Sequence, residues 1–345
     1  MLKFIKRLFG FALIAAVLVV GTVVFQLLSF QHSTVEVSDE TSVFLIKSGT
    51  SIKRIAEDLT RQNYIEDPWL FILLAKLKGV ETRVRAGEYQ ISAGQSPDDL
   101  LETFIQGSSI QYSFTVIEGW TFRQMLDALK RDAVIEYTLE GKTDAEIMTA
   151  IGYPDRHPEG LFFPDTYRFP KGTTDVDFLR RAYQVMQNHL EREWSQRDED
   201  IPLKNDYEAL ILASIIEKET GAGFERPLIG GVFTERLKRN MRLQTDPTVI
   251  YGMGDSFDGN IRRRDLKKDT PYNTYVHSGL TPTPIALPGL DSIRAALRPA
   301  ETDALYFVSK GDGTHHFSST LEEHNAAVRK YQLSKRKKPK QTQTN

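Results

Sequence analysis

From Leu8 to Leu28 the chain runs for 21 residues without a charge, and Thr22 and Gln26 are its only polar side chains. At helical rise this run spans about 32 Å, enough to cross a hydrocarbon layer of roughly 30 Å. A core helix of a soluble domain keeps a polar face, whereas this run is apolar on every side. Lys3, Lys6 and Arg7 precede it, and the first charge after it is Glu36. The positive-inside bias therefore predicts a cytoplasmic N-terminus over 1–7, a single transmembrane helix over 8–28 and an exported body. A cleaved signal peptide would have a shorter apolar region ending in a small-x-small site. The sequence Phe25-Gln26-Leu27-Leu28-Ser29-Phe30-Gln31 offers none, so a retained anchor is expected.

Composition bounds what the exported part can do. The 345 residues hold 44 Lys+Arg, 46 Asp+Glu and no Cys. Without cysteine, thiolate zinc sites, iron–sulfur clusters and Cys nucleophiles are excluded. Setting aside the basic first 31 residues and the last 11, the body carries 36 basic against 46 acidic groups. A surface that acidic is a poor partner for nucleic acid, which needs cationic groups against its phosphates. The basic end, 334–345, reads as a solvated, disordered tail. The length suggests about two domains.

Three segments of the body share one spacing. Val43-Phe44-Leu45-Ile46 leads to Gly49, Ser51, Ile55 and Leu59; Tyr89-Gln90-Ile91 leads to Gly94, Ser96, Leu100 and Phe104; Phe114-Thr115-Val116-Ile117 leads to Gly119, Thr121, Met125 and Leu129. The physical reading is a strand, a glycine turn where positive φ is cheap, a hydroxyl N-cap and a helix with one apolar face. Pro97 falls at a first helical position, where proline is tolerated. Such short strand–helix units, over 36–131, resemble LysM-like modules, and that resemblance alone implies binding to cell-wall glycan. Any small α+β domain can reuse the same turns.

Residues 132–157 read as a connecting region with short helical pieces, and 158–333 as a larger mixed α+β domain. It begins with the aromatic stretch Glu159-Gly160-Leu161-Phe162-Phe163-Pro164-Asp165-Thr166-Tyr167. Its rings suit the apolar faces of sugars or, equally, a core edge. The segment from Asp206 to Thr220 reads as a long helix closed by Gly221. Near its end Glu217 and Glu219 point about 200° apart, so they cannot serve one site equally. Glu219 sits at the end of the apolar stripe, over Leu212, Ile215 and Ile216. Partial desolvation and the negative end of the helix both push its carboxyl toward the neutral acid, the form a general acid needs. The competing reading is a structural glutamate paired with Lys218 or Arg226. A helix is expected to start near Glu225-Arg226-Pro227, and Pro247 is placed to open another. The polar loops around Gln244 and Tyr272 and the proline-rich 279–289 segment read as the rim of a cleft.

Ile215-Ile216-Glu217-Lys218-Glu219-Thr220, Leu243-Gln244-Thr245-Asp246-Pro247-Thr248-Val249-Ile250-Tyr251-Gly252 and Tyr272-Asn273-Thr274-Tyr275 resemble the MltG (YceG-like) family of endolytic lytic transglycosylases. The similarity extends from the anchor to the Thr314-His315-His316-Phe317 and Glu323-His324-Asn325 segments. Two departures are local: Glu235 stands where the family has Asn, and Gly279-Leu280-Thr281-Pro282-Thr283-Pro284-Ile285 replaces a more regular proline loop. The resemblance implies an α+β fold with an N-terminal transmembrane helix, small LysM-like α/β subdomains and a mixed α+β catalytic domain. It implies Glu219 as the catalytic acid, with Gln244, Asp246, Tyr167, Tyr272 and Asn273 around the sugars. No cofactor and no metal are expected; His315, His316 and His324 lack ligand company and read as structural. The implied partners are peptidoglycan glycan strands, the bacterial inner membrane and cell-wall synthases. Two other readings stay open: a non-catalytic cell-wall scaffold, and a hydrolase using Glu219 with Asp246 as the second carboxylate.

Overall fold

The computed structural model describes residues 2–37 and 41–333, a mixed α and β fold. The basic tail expected over 334–345 lies outside the described residues. The chain divides into two compact units. Unit 1 comprises Met1–Ser113, Val134–Glu136 and Arg168–Thr173; unit 2 comprises Phe114–Ala133, Tyr137–Tyr167 and Thr174–Asn345.

Unit 1 begins with α1 (Leu2–Gln31), whose Lys6–Gln31 stretch is long and apolar enough to cross a membrane, with a mean hydropathy of 2.7. Phe9, Val17 and Phe25 stand exposed along it, so no protein face covers this apolar surface among the described residues. Its end behaves differently: Phe30, and Val35 just beyond, are buried in the unit 1 core. The strands β1 (Thr41–Ile46) and β2 (Gly87–Ser92) pair antiparallel, in register from Thr41↔Ser92 to Ile46↔Gly87. Phe44 and Ile46 face inward while Val43 and Leu45 face out, the period-two alternation of a half-covered sheet. Three helices cover the inner face: α2 (Ile52–Arg61), α3 (Pro68–Leu77) and α4 (Pro97–Gln106). Phe104 stacks on Phe44 at 5.9 Å and meets Tyr89 edge-on at 4.8 Å.

The strands β3 (Gln111–Thr115) and β4 (Thr166–Pro170) form a small two-stranded ribbon. Unit 2 holds α5 (Phe122–Arg131), α6 (Asp144–Ile151), the 21-residue α7 (Asp175–Ser195), α8 (Asp206–Glu219), α9 (Arg226–Lys238), α10 (Asp246–Met253), α11 (Leu290–Leu297) and α12 (Leu321–Val328). The hairpin β5 (Tyr306–Ser309) and β6 (His315–Ser318) precedes α12. At the centre lies α8, buried from Ala209 to Ile216, with α11 packed on both α8 and α9. Close approach there depends on Gly230 and Gly231, where a Cβ would come within 2.3 Å and 2.4 Å of the carbonyl oxygens of Ala295 and Ala300.

All three repeated segments form the local structure that their spacing predicts. Gly49, Gly94 and Gly119 have φ of 76°, 86° and 75°. Ser51, Ser96 and Thr121 cap α2, α4 and α5. Ile55, Leu59, Leu100, Phe104, Met125 and Leu129 are buried. The third strand is displaced toward the N-terminus, ending at Thr115, because its ladder is set by β4, whose Thr166 hydroxyl meets that of Thr115 at 2.9 Å. The aromatic stretch after Glu159 belongs to the core: Phe162 is fully buried and stacks on Phe122 at 5.1 Å, and Leu161 and Phe163 are buried with it. Rings packed this way have no free face to offer a sugar.

Candidate active site

The two glutamates at the end of α8 diverge as the helical period requires. Glu217 turns into the protein. Its Oε1 takes a hydrogen bond from Arg226 Nη2 at 2.8 Å, and its Oε2 accepts from Gly289 N–H at 2.9 Å and Ser292 Oγ at 2.7 Å. Arg226 also reaches Glu118 at 3.3 Å. The arginine that might have neutralised Glu219 is therefore engaged on the opposite side of the helix.

Glu219 opens instead onto a cleft of about 430 Å³ lined by Gln244, Asp246, Tyr275, His315 and Tyr306 among others. The residue keeps some exposure, but its carboxyl lies deep among protein atoms. Loss of hydration pushes it up to about 7, and the charge of Asp246 adds to the rise. The Thr245 hydroxyl donates to Glu219 Oε1, and the neighbouring His315 also favours the ionised form; both oppose the rise without cancelling it.

A buried threonine cluster sets Thr245 in place. Thr245 N–H donates to Thr274 Oγ1 at 3.1 Å, Thr248 Oγ1 donates to the Thr245 carbonyl at 2.8 Å, and the hydroxyls of Thr248 and Thr274 meet at 2.9 Å. Gln244, just before, adopts φ of +54°, an uncommon conformation for a residue with a Cβ. This kink leaves Gln244 and Asp246 exposed on either side of the buried Thr245. Arg236 holds the approach to the kink: its Nη1 donates to the carbonyls of Arg242 and Leu243, both at 2.9 Å, and its Nε to Leu305 O at 2.6 Å. On the facing loop the Tyr275 hydroxyl donates to Asp246 Oδ1 at 2.7 Å. Burial, reinforced by that carboxylate, keeps the phenol protonated.

His315, which lines the cleft, is held by the buried Glu225. Glu225 accepts from the His315 backbone N–H at 2.9 Å and from its Nδ1 at 2.8 Å. A carboxylate partner requires Nδ1 to carry hydrogen, which leaves Nε2 as the nitrogen free to accept when the ring is neutral. Among the described residues no group of three or more His, Asp or Glu side chains converges as metal ligands do.

The pattern of the YceG-like family matches residues 44–330. The chain belongs to the YceG-like family. It is 33% identical over 323 residues to a protein named endolytic murein transglycosylase from Bacillus subtilis (strain 168), an alignment covering 88% of this chain and 89% of the relative. It is 28% identical to a protein of the same name from Streptococcus pneumoniae (strain D39 / NCTC 7466), covering 84% of this chain but only 58% of that longer relative. A crystal structure of a YceG-like protein from Listeria monocytogenes aligns with a TM-score of 0.52 at 29% identity, covering 84% of this chain and 99% of that one.

Within this YceG-like fold the residues singled out by sequence fall into four places. Glu219, Gln244 and Asp246 share the cleft. Asn273 is 1% exposed and organises the loop behind it: its Nδ2 donates to the carbonyls of Asp265 at 3.1 Å and Lys268 at 2.7 Å, and its Oδ1 accepts Tyr275 N–H at 3.0 Å. Tyr167 sits in the core of unit 2, its hydroxyl on the Phe163 carbonyl at 2.7 Å, and does not line the cleft. Tyr272 lines a different cleft, with Tyr251 and Glu159. Sequence reasoning passed over Thr245, Tyr275, Arg236 and the Glu225–His315 pair. Thr245 and Tyr275 were visible inside quoted motifs, but nothing in their spacing distinguished a hydroxyl aimed at Glu219 from one aimed at a backbone. Glu225 and His315 are 90 residues apart, and only folding brings them together.

Proposed function

We propose that this chain is a membrane-anchored endolytic murein transglycosylase, a lyase that cuts the MurNAc–GlcNAc bond within peptidoglycan strands and leaves 1,6-anhydro-MurNAc ends, terminating strand elongation. One observation carries the reading: a carboxyl with no basic partner in hydrogen-bond contact, raised to about 7 by burial, opens onto a cleft large enough for sugar residues. Thr245 occupies Oε1 of Glu219, so Oε2 is the oxygen that carries the reactive proton. That proton passes to the glycosidic oxygen as the C1–O bond breaks and the GlcNAc hydroxyl leaves. Positive charge then builds on the MurNAc ring. Asp246, held by Tyr275, faces that charge and stabilises it. The new Glu219 carboxylate takes the proton of the MurNAc 6-hydroxyl while O6 bonds to C1, closing the anhydro ring and restoring the acid. One residue serves as acid and then base, so the step consumes no water. Gln244 lies at the mouth, its Oε1 near Arg236 Nη1 at 3.4 Å and its amide NH₂ available to a sugar oxygen.

The same reading places residues 1–7 in the cytoplasm, α1 in the bacterial inner membrane and both units outside, within reach of nascent strands and the synthases that make them. The strand–turn–helix units over 36–131 are its LysM-like, glycan-facing part. Mass spectrometry of uncrosslinked strands after incubation with the purified protein tests the reaction. Anhydro ends are expected, and Glu219→Gln should abolish them. Ends carrying an added water would make the enzyme a hydrolase using Asp246, and intact strands would leave a scaffold.

A further inference from the structure

The reaction above leaves the buried carboxyl of Glu159 unused. Glu159 is 4% exposed and sits at the base of a second cleft of about 770 Å³ inside unit 2. Its Oε1 accepts Phe122 N–H at 3.0 Å and its Oε2 accepts the Tyr251 hydroxyl at 3.1 Å. Loss of hydration raises it to about 7, against the pull of those hydrogen bonds. Burying a carboxyl is costly, and a core needing only to be filled would use an apolar side chain.

The walls of this cleft are aromatic and fixed. Tyr251 and Tyr272 meet edge to face at 4.9 Å, and Tyr272 is pinned by a 2.9 Å hydrogen bond to Thr283 Oγ1. Phe257 completes the apolar lining, with Gln124 beside it, and the buried Phe122 lies beneath them. Its carboxyl groups, Asp127, Asp144, Glu159 and Asp255, outnumber its basic groups, Arg123 and His157, which disfavours an anionic polymer. Ring faces together with neutral and acidic hydrogen-bonding groups suit a sugar, whose C–H faces are apolar and whose hydroxyls donate.

The helix α10 links this cleft to the first. Asp246, its first residue, lies beside Glu219, while Ile250, Tyr251 and the following Gly254 and Phe257 line the second cleft. Ile250 and Tyr251 lie four and five residues beyond Asp246, about 6–8 Å along the helix, so one rigid element spaces the two openings. An endolytic enzyme must hold its strand away from the bond it cuts as well as at it.

We propose that the Glu159 cleft is a second glycan-binding site that grips uncharged N-acetylated sugar residues of the same strand, at a distance from the scissile bond. This rests on the glycan-cleaving reading given above. The test is calorimetric titration of the full chain in detergent micelles, carrying Glu219→Gln, with chito-oligosaccharides, which contain N-acetylglucosamine alone. The hexamer should bind about tenfold more tightly than the trimer, and adding Phe257→Ala should erase that gain. Equal binding of trimer and hexamer, or a gain that survives Phe257→Ala, overturns the proposal. A fluorinated phenylalanine at Phe257 gives a reading that needs no truncation: its ¹⁹F resonance should shift on adding hexamer, and an unmoved resonance also overturns it. Because these measurements use an inactive variant, they separate two failures. A wild-type chain that produces no anhydro ends while the hexamer still reports at Phe257 would fell the catalytic reading and keep this site as a glycan grip.

Discussion

At the residue scale, Glu217 and Glu219 show how two identical side chains two positions apart acquire opposite properties. Glu217 is saturated by Arg226, Gly289 and Ser292, whereas Glu219 faces a cleft with a single hydroxyl donor. Their substitutions should therefore separate stability from activity. Glu217→Ala leaves Arg226 without its main partner and should cost about 3 kcal/mol in denaturant melts. Glu219→Gln should keep the fold and lose the cleavage. For the wild type, kcat/KM should fall as pH rises through about 7, where Glu219 loses the proton that the proposed reaction requires it to donate; a profile flat from pH 6 to 9 would contradict that role. The same group and Glu159 also tie stability to pH. Both are raised from 4.5 to about 7, so between those values the folded protein holds protons that the unfolded chain has released. Stability must then fall as pH rises through this window and level off above it. Glu159 should contribute about 3 kcal/mol, and Glu159→Gln should flatten its share of the difference between melts at pH 5 and pH 8.

At the element scale, the reading from sequence was strongest where geometry is local. The spacing glycine, hydroxyl at +2, apolar at +6 and +10 encodes a turn, a cap and a buried face within a dozen residues, and Gly94, Ser96, Leu100 and Phe104 fill those roles. The end of α8 was legible for the same reason, since the angle between Glu217 and Glu219 follows from helical pitch alone. The aromatic stretch after Glu159 was not. Phe162 and Tyr167 would look the same in sequence whether they faced a sugar or Phe122 and Phe163, and packing chose the core. Close packing between helices was also invisible. A methyl group at Gly230 would fall 2.3 Å from the Ala295 carbonyl, so Gly230→Ala must push α9 away from α11. It should destabilise unit 2 by about 1–3 kcal/mol, although alanine is the better helix former. A thermal melt that is unchanged would show that the contact yields freely.

At the scale of the whole molecule, the long apolar helix and the odd glutamate were readable for different reasons. An uncharged run long enough to cross a bilayer depends only on length and composition, and α1 has both. A reporter fused after Asn345 should be active only in the exported compartment, and cytoplasmic activity would reverse the assigned orientation. By itself the sequence determined the long apolar helix, the capped strand–turn–helix units and the identity of the odd glutamate at the end of α8, because each follows from backbone periodicity over a few turns. Only the tertiary structure decided that Arg226 goes to Glu217, that Thr245 and His315, held by the distant Glu225, enter the cleft, and that Tyr272 lines the cleft of Glu159 rather than that of Glu219. Those are meetings between segments remote in the chain. Burial and hydrogen-bond satisfaction arrange them, and no local spacing records either.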